Sequence, residues 1–162
     1  DPESSAYAGH NRAWDYPIAN LEIAFQRPNW VMGNGIGTAS LGMQYVDQVV
    51  GQARPQLWVE EGYGVLIVEM GIIAPFLWIL WTAALLYYSW KIVRRLKGTR
   101  FAPLGIAILW YAFFLLYPLT YVGLSPYQNY ICNAYLWLLV GMLFRLPDLL
   151  ENATAPNPVL LP

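Results

Sequence analysis

From Gly62 to Trp90 the chain reads GYGVLIVEMGIIAPFLWILWTAALLYYSW, 29 residues whose one charged side chain is Glu69. An α-helix needs roughly 20 predominantly apolar residues to cross hydrocarbon, so the run predicts a membrane span over 62–90. Two further runs follow. Residues 103–122, PLGIAILWYAFFLLYPLTYV, predict a second span in which Pro118 allows a kink near one end. Residues 130–146 predict a third, shorter one that carries Cys132, Asn133 and Gly141. With 57% hydrophobic residues, 16% aromatic residues and a mean hydropathy of +0.38, a water-soluble domain of 162 residues would struggle to hide its apolar surface.

Charge patterning sets the expected sidedness. Lys91, Arg94, Arg95, Lys97 and Arg100 follow the first run with no acid among them, and basic residues in short loops stay cytoplasmic. Residues 1–61 and 123–129 are then expected outside, and 91–100 and the C-terminus inside. The tail 147–162, rich in proline and small residues, is expected to be extended. The first residues, Asp1-Pro2-Glu3-Ser4-Ser5, lack an initiating Met and the pattern of a signal peptide. They read as a fragment whose N-terminal half lies elsewhere. A net charge of −1 offers no basic field for nucleic acid. Cys132 is the one cysteine and His10 the one histidine, so neither a disulfide framework nor a metal-ligand cluster is expected.

The extracytoplasmic segment holds the candidate chemistry. Residues 15–27 predict an amphipathic helix, with Asp15 as cap, Pro17 in the first turn, Trp14, Ile18, Leu21 and Phe25 at helical spacing, and Pro28 as the stop. Its apolar face either packs on the bundle or lies in the membrane interface. Arg12 precedes the helix's positive end, where an anion would meet a guanidinium and free amides. Gly33, Gly35 and Gly37 alternate in NWVMGNGIGTASLG, which permits tight turns or close approach. No Gly-Lys-Ser/Thr follows, and Thr38 stands where a dinucleotide fingerprint needs glycine, so the stretch reads as a close-packing connector rather than a phosphate cradle. Glu60 and Glu61 open the first apolar run, either as dipole partners or as site carboxylates. Glu69 lies two turns further in, where an ionisable group is costly and needs a partner or a wet cavity.

In order, Arg12, then RPNWVMGNGIGTASLG from Arg27, then EEGYGVLIVEMGIIAPFLWILW from Glu60 resemble the C-terminal half of the O-antigen ligase and polymerase superfamily. The resemblance covers residues 10–90. It implies an all-α membrane protein, an extracytoplasmic loop followed by three transmembrane helices within a larger GT-C-like bundle. It also implies a metal-independent glycosyltransferase that moves a sugar chain from an undecaprenyl diphosphate carrier to an acceptor hydroxyl at the outer face of a bacterial inner membrane. Partners would be that lipid-linked glycan, a glycan or lipid acceptor, membrane lipids and the N-terminal half of the same protein, with no cofactor. The resemblance gives Arg12 the charge on the leaving diphosphate and puts Glu60 at the family's histidine position, the position of the base. Gly33, Gly35, Gly37, Glu61 and Glu69 would serve substrate binding. Glutamate for histidine is a departure from the family pattern. The alternatives from the residues themselves are a non-enzymatic subunit or transporter of envelope polysaccharide, in which Arg12, Glu60 and Glu69 bind a ligand, and a purely structural bundle.

Overall fold

The computed structural model describes residues 11–39, 43, 49, 51, 57, 59–123 and 129–154, the side chains of Arg12 and of 151–154 excepted. Among these residues every regular element is helical. A π-helical turn, Asn11–Asp15, leads into α1 (Tyr16–Gln26). After the glycine loop come α2 (Gly62–Met70), α3 (Ile73–Arg95), α4 (Ala102–Val122) and α5 (Tyr130–Thr154). Three helices are long and apolar enough to cross a membrane: Ile73–Arg95, Ala102–Val122 and Tyr130–Leu150. At 1.5 Å per residue, 23 residues of α3 reach about 35 Å, enough for a hydrocarbon core of about 30 Å.

The expected single span over 62–90 is two helices. Gly71 has φ 88° and ψ 174°, a conformation that glycine reaches without steric cost and other residues do not. Pro75, in the first turn of α3, brings no N–H where none is needed. The chain therefore breaks at Gly71 and Ile72, and α2 runs beside the first turns of α3. Glu61, Tyr63 and Ile67 share a cleft with Pro75, Phe76 and Ile79.

The last span also differs from its expected end at 146, and the tail begins later. The helix continues through Pro147 to Thr154, because Leu146 and Leu150 extend the stripe of Leu139 and Leu143 onto α3 and α4. An exposed Arg145–Asp148 ion pair at 2.8 Å bridges the turn containing the proline. In α4 the kink expected at Pro118 takes the form of a π-helical segment, Leu115–Leu119. Thr120 Oγ1 donates to the Leu115 carbonyl at 3.1 Å and helps settle that irregular turn.

Apolar clusters stack along the bundle. Val93, Leu96, Ile108, Leu143 and Leu146 close the end bearing the basic residues. Ala112, Leu115, Leu116, Leu136 and Val140 fill the middle. Ala24, Val59, Val65, Ile67 and Val68 join α1 to α2 at the far end. Lys91 lies over the rings of Tyr87 and Tyr88 at 5.3 and 5.8 Å, an aromatic and basic belt of the kind found at membrane interfaces.

A buried polar contact crosses the middle. Thr82 Oγ1 donates to the Trp78 carbonyl at 2.8 Å and lies 3.0 Å from the Tyr117 hydroxyl of α4. Interhelical hydrogen bonds in membrane proteins are worth about 0.6 kcal/mol on average. Tyr117→Phe is therefore expected to lower stability by about 0.6 kcal/mol. A double-mutant cycle with Thr82→Val that returns no coupling would show that the hydroxyl contact contributes nothing.

Candidate functional site

Glu61 occupies the N-cap of α2. Its Oε1 accepts from the Tyr63 amide at 2.9 Å and its Oε2 from the Gly64 amide, two of the donors that a helix start leaves unpaired. A side chain at Gly64 would press on Val59 Cγ1 at 2.9 Å and Glu61 Oε2 at 3.1 Å. That glycine lets the carboxylate fold over the helix start and lets Ala24 of α1 pack against it. Glu61 is only 1% exposed. Desolvation by burial raises its pKa from 4.5 to about 7, against the two backbone hydrogen bonds, which act to lower it. Tyr63 beside it is pushed up to about 12, mainly by burial and then by Tyr117 and Glu61.

Glu61 forms part of the wall of a cleft of 270 Å³ between α1, α2, α3 and the end of α4, lined also by Leu21, Phe25, Tyr63, Phe76 and Tyr121, while its two oxygens are turned to the amides that open α2. The surface that wall presents to the cleft is apolar. Glu60, the residue before Glu61, is half-buried, with its amide donating to Asn20 Oδ1 of α1 at 3.3 Å. The Glu60 carbonyl approaches Gly123, where an added Cβ would lie 3.3 Å away. Arg12 belongs to the π-helical turn before α1. Trp14 of the same turn packs edge-on against Tyr121 of the cleft wall, ring centroids 6.5 Å apart. Glu61 thus lines the cleft, and the backbone turn that carries Arg12 reaches its wall through the Trp14–Tyr121 contact.

The other expected site residues gather elsewhere. Glu69 is eight residues along α2 from Glu61, about 12 Å at 1.5 Å per residue. Its buried carboxylate accepts from the Ala39 amide at 3.2 Å. The glycine stretch wraps the break at Gly71 instead of facing the cleft. Asn34 donates its amide and its side-chain Nδ2 to the Val68 carbonyl, both at 2.9 Å, and the Gly35 amide donates to the Glu69 carbonyl at 2.9 Å. In return the Ile72 amide donates to the Val31 carbonyl at 3.2 Å. Gly33 crosses the Gly71 backbone so closely that a Cβ would fall 2.5 Å from the Glu69 carbonyl oxygen and 2.7 Å from the Gly71 nitrogen. Gly37 has nothing within 4 Å of its Cβ direction. Of the three glycines, Gly33 and Gly35 clasp the end of α2, and beside Gly37 there is open space.

Asn20 and Tyr121 join the site without having been singled out in the sequence. Asn20 carried a signal, a polar residue among the apolar positions of α1. Tyr121 carried none, because tyrosines near the end of a span are common. Among the described residues no group of three His, Cys, Asp or Glu side chains is placed to hold a metal ion. No protein-family model, curated protein or solved structure matches the chain.

Proposed function

We propose that the protein is a polytopic glycan ligase or polymerase that takes a sugar chain from a lipid diphosphate carrier, undecaprenyl diphosphate, and joins it to an acceptor hydroxyl at the outer face of a bacterial inner membrane. One observation carries the reading: a desolvated carboxylate, Glu61, with a pKa of about 7, at the wall of an apolar cleft beside the entrance to a span. A base is most effective when its pKa lies near the working pH. In this reading the acceptor oxygen attacks the anomeric carbon, the bond from that carbon to the carrier's diphosphate breaks, and Glu61 takes the acceptor's proton. The lipid diphosphate leaves with the bonding pair, and Arg12 offsets its growing charge. Glu60 binds the acceptor. The resemblance assigns the base to Glu60; burial favours its neighbour.

The broken helix at Gly71 favours a second reading, a subunit that binds or passes a ligand, because discontinuous helices present free carbonyls to ions in transporters. Here the carbonyls of Val68 and Glu69 already accept from Asn34 and Gly35. That leaves the break fewer acceptors for an ion and favours the transferase.

The test is glycan attachment in cells that lack their own copy of the gene, complemented with full-length variants. Glu61→Gln is expected to reduce transfer by about 10²–10⁴-fold, and Arg12→Ala by about 10²–10³-fold, each at unchanged abundance in the membrane. Full transfer by a stably inserted Glu61→Gln variant would remove the base from this position.

A further inference from the structure

The surface around the glycine clasp is apolar and faces outward. Met32 is 84% exposed and Ile36 81%, with Trp30 and Val31 beside them. Along α1 and the turn before it, the stripe Trp14, Ile18 and Phe25 is also exposed, because the face that packs on α2 is offset from it, at Pro17, Leu21 and Ala24. The two surfaces meet where Phe25 and Trp30 stack edge-on at 5.4 Å.

The clasp fixes the level of this surface. Val31 and Met32 are held against Gly71 and Ile72, immediately before Ile73 begins α3. Phe25 shares its cleft with Phe76, and Ile73 and Phe76 are themselves exposed. The apolar surface of the loop and α1 therefore runs without interruption into the surface of the first span.

Two features suit this segment to lipid. No charged residue occurs from Pro28 to Val46, so entry of the loop into the interface desolvates no ion, while Glu22 on the neighbouring face of α1 is exposed and placed at the headgroup level. The amides of residues 32–35 at the tip are occupied internally. The amides of Met32 and Gly33 donate to the Asn29 carbonyl, those of Asn34 and Gly35 to α2, and the Asn34 side chain to Pro28 and Val68. Irregular backbone avoids lipid because its N–H and C=O groups go unsatisfied there; in this tip the successive amides are already satisfied.

We infer that residues 30–36, with the Trp14, Ile18 and Phe25 stripe, form a wedge seated in the lipid interface, and that the bilayer surface is what covers them. The inference rests on α3 being a membrane span and is independent of the transferase chemistry. It explains why the clasp is backbone-to-backbone: a rigid connection between wedge and span sets the height of the neighbouring Glu61 cleft relative to the membrane.

The test uses the full chain in phospholipid nanodiscs, with single cysteines at Met32, Ile36 and Leu80 in a Cys132→Ala background, each spin-labelled. All three positions are highly exposed, so the labels disturb no packing. Lipid-soluble oxygen and a water-soluble nickel chelate then report the surroundings. The expected result is an oxygen-to-nickel accessibility ratio above one at positions 32, 36 and 80. The depth at 32 and 36 is expected to be about 5–10 Å into the boundary between headgroups and acyl chains, as for interfacial amphipathic segments. Nickel accessibility at 32 and 36 with oxygen dominant at 80 overturns the wedge and leaves the span intact. Protection of 32 and 36 from both reagents overturns it in favour of a protein partner or a second copy. Nickel accessibility at 80 overturns the span, and the wedge with it.

Discussion

Gly33→Ala and Gly71→Ala are each expected to destabilise the protein by about 4 kcal/mol, while Gly37→Ala costs about 1–2 kcal/mol. All three glycines have positive φ, between 85° and 88°, so each alanine pays backbone strain. The difference is what the new methyl meets. At Gly33 it meets the backbone of Glu69, Met70 and Gly71, and at Gly71 the backbone of Val31 and Met32. Backbone cannot rotate aside as a side chain can. Relief requires the strands of the clasp to separate, which frees the hydrogen bonds from Asn34 and Gly35 to α2 and from Ile72 to Val31. At Gly37 there is open space, and alanine's lower unfolded-state entropy returns part of the strain. Unfolding midpoints in detergent, compared across the three variants, check the ranking. Equal losses at Gly33 and Gly37 would remove the clasp as the explanation for the glycine motif.

The same clasp shows where sequence reasoning stops. Length and hydropathy locate three spans because crossing a bilayer imposes a long apolar helix, and α4 and α5 begin close to where the composition places them. The break at Gly71 is invisible to that logic, since a nine-residue apolar helix followed by a 23-residue one has the composition of one long span. The punctuation was present as Gly71 and Pro75, but spans tolerate both when neighbours satisfy the freed carbonyls. Here the satisfying neighbour is a loop some 35 residues upstream. The helix over 16–26 is legible from its proline stops, whereas its packing face is not. Of the apolar stripe Trp14, Ile18, Leu21 and Phe25, Leu21 packs against the core shared with α2 while the other three are exposed, and the smaller Ala24 makes the close approach to Gly64. Glu60 and Glu61 are chemically identical neighbours. Only the N-cap backbone of α2 decides which carboxylate turns inward, and glutamate is not among the residues usually favoured there.

Protonation of Glu61 is expected to make stability and activity respond to pH in opposite directions. Its folded-state pKa, about 7, lies above the ordinary 4.5. The raised value means that the folded state binds the proton more tightly than the unfolded chain. Stability is therefore fully supported below pH 4.5 and falls as pH rises through 7. At about 1.4 kcal/mol for each tenfold change in proton affinity, the loss amounts to about 3 kcal/mol. Glu61→Gln, which cannot ionise, is expected to abolish this slope. It also gives up one of the two acceptors of the cap, about 1 kcal/mol at low pH, so wild type is the more stable below pH 4.5 and the variant above pH 8. A base works only when deprotonated, so glycan transfer by the wild-type protein should rise with pH across the same interval in which its stability declines. Unfolding midpoints and transfer rates measured on one preparation between pH 4 and 9 check both limbs. A stability slope that survives in Glu61→Gln assigns the titration to another group. A slope that vanishes in the variant while wild-type transfer stays flat through pH 7 leaves Glu61 as a helix cap and takes the proton from some other carboxylate.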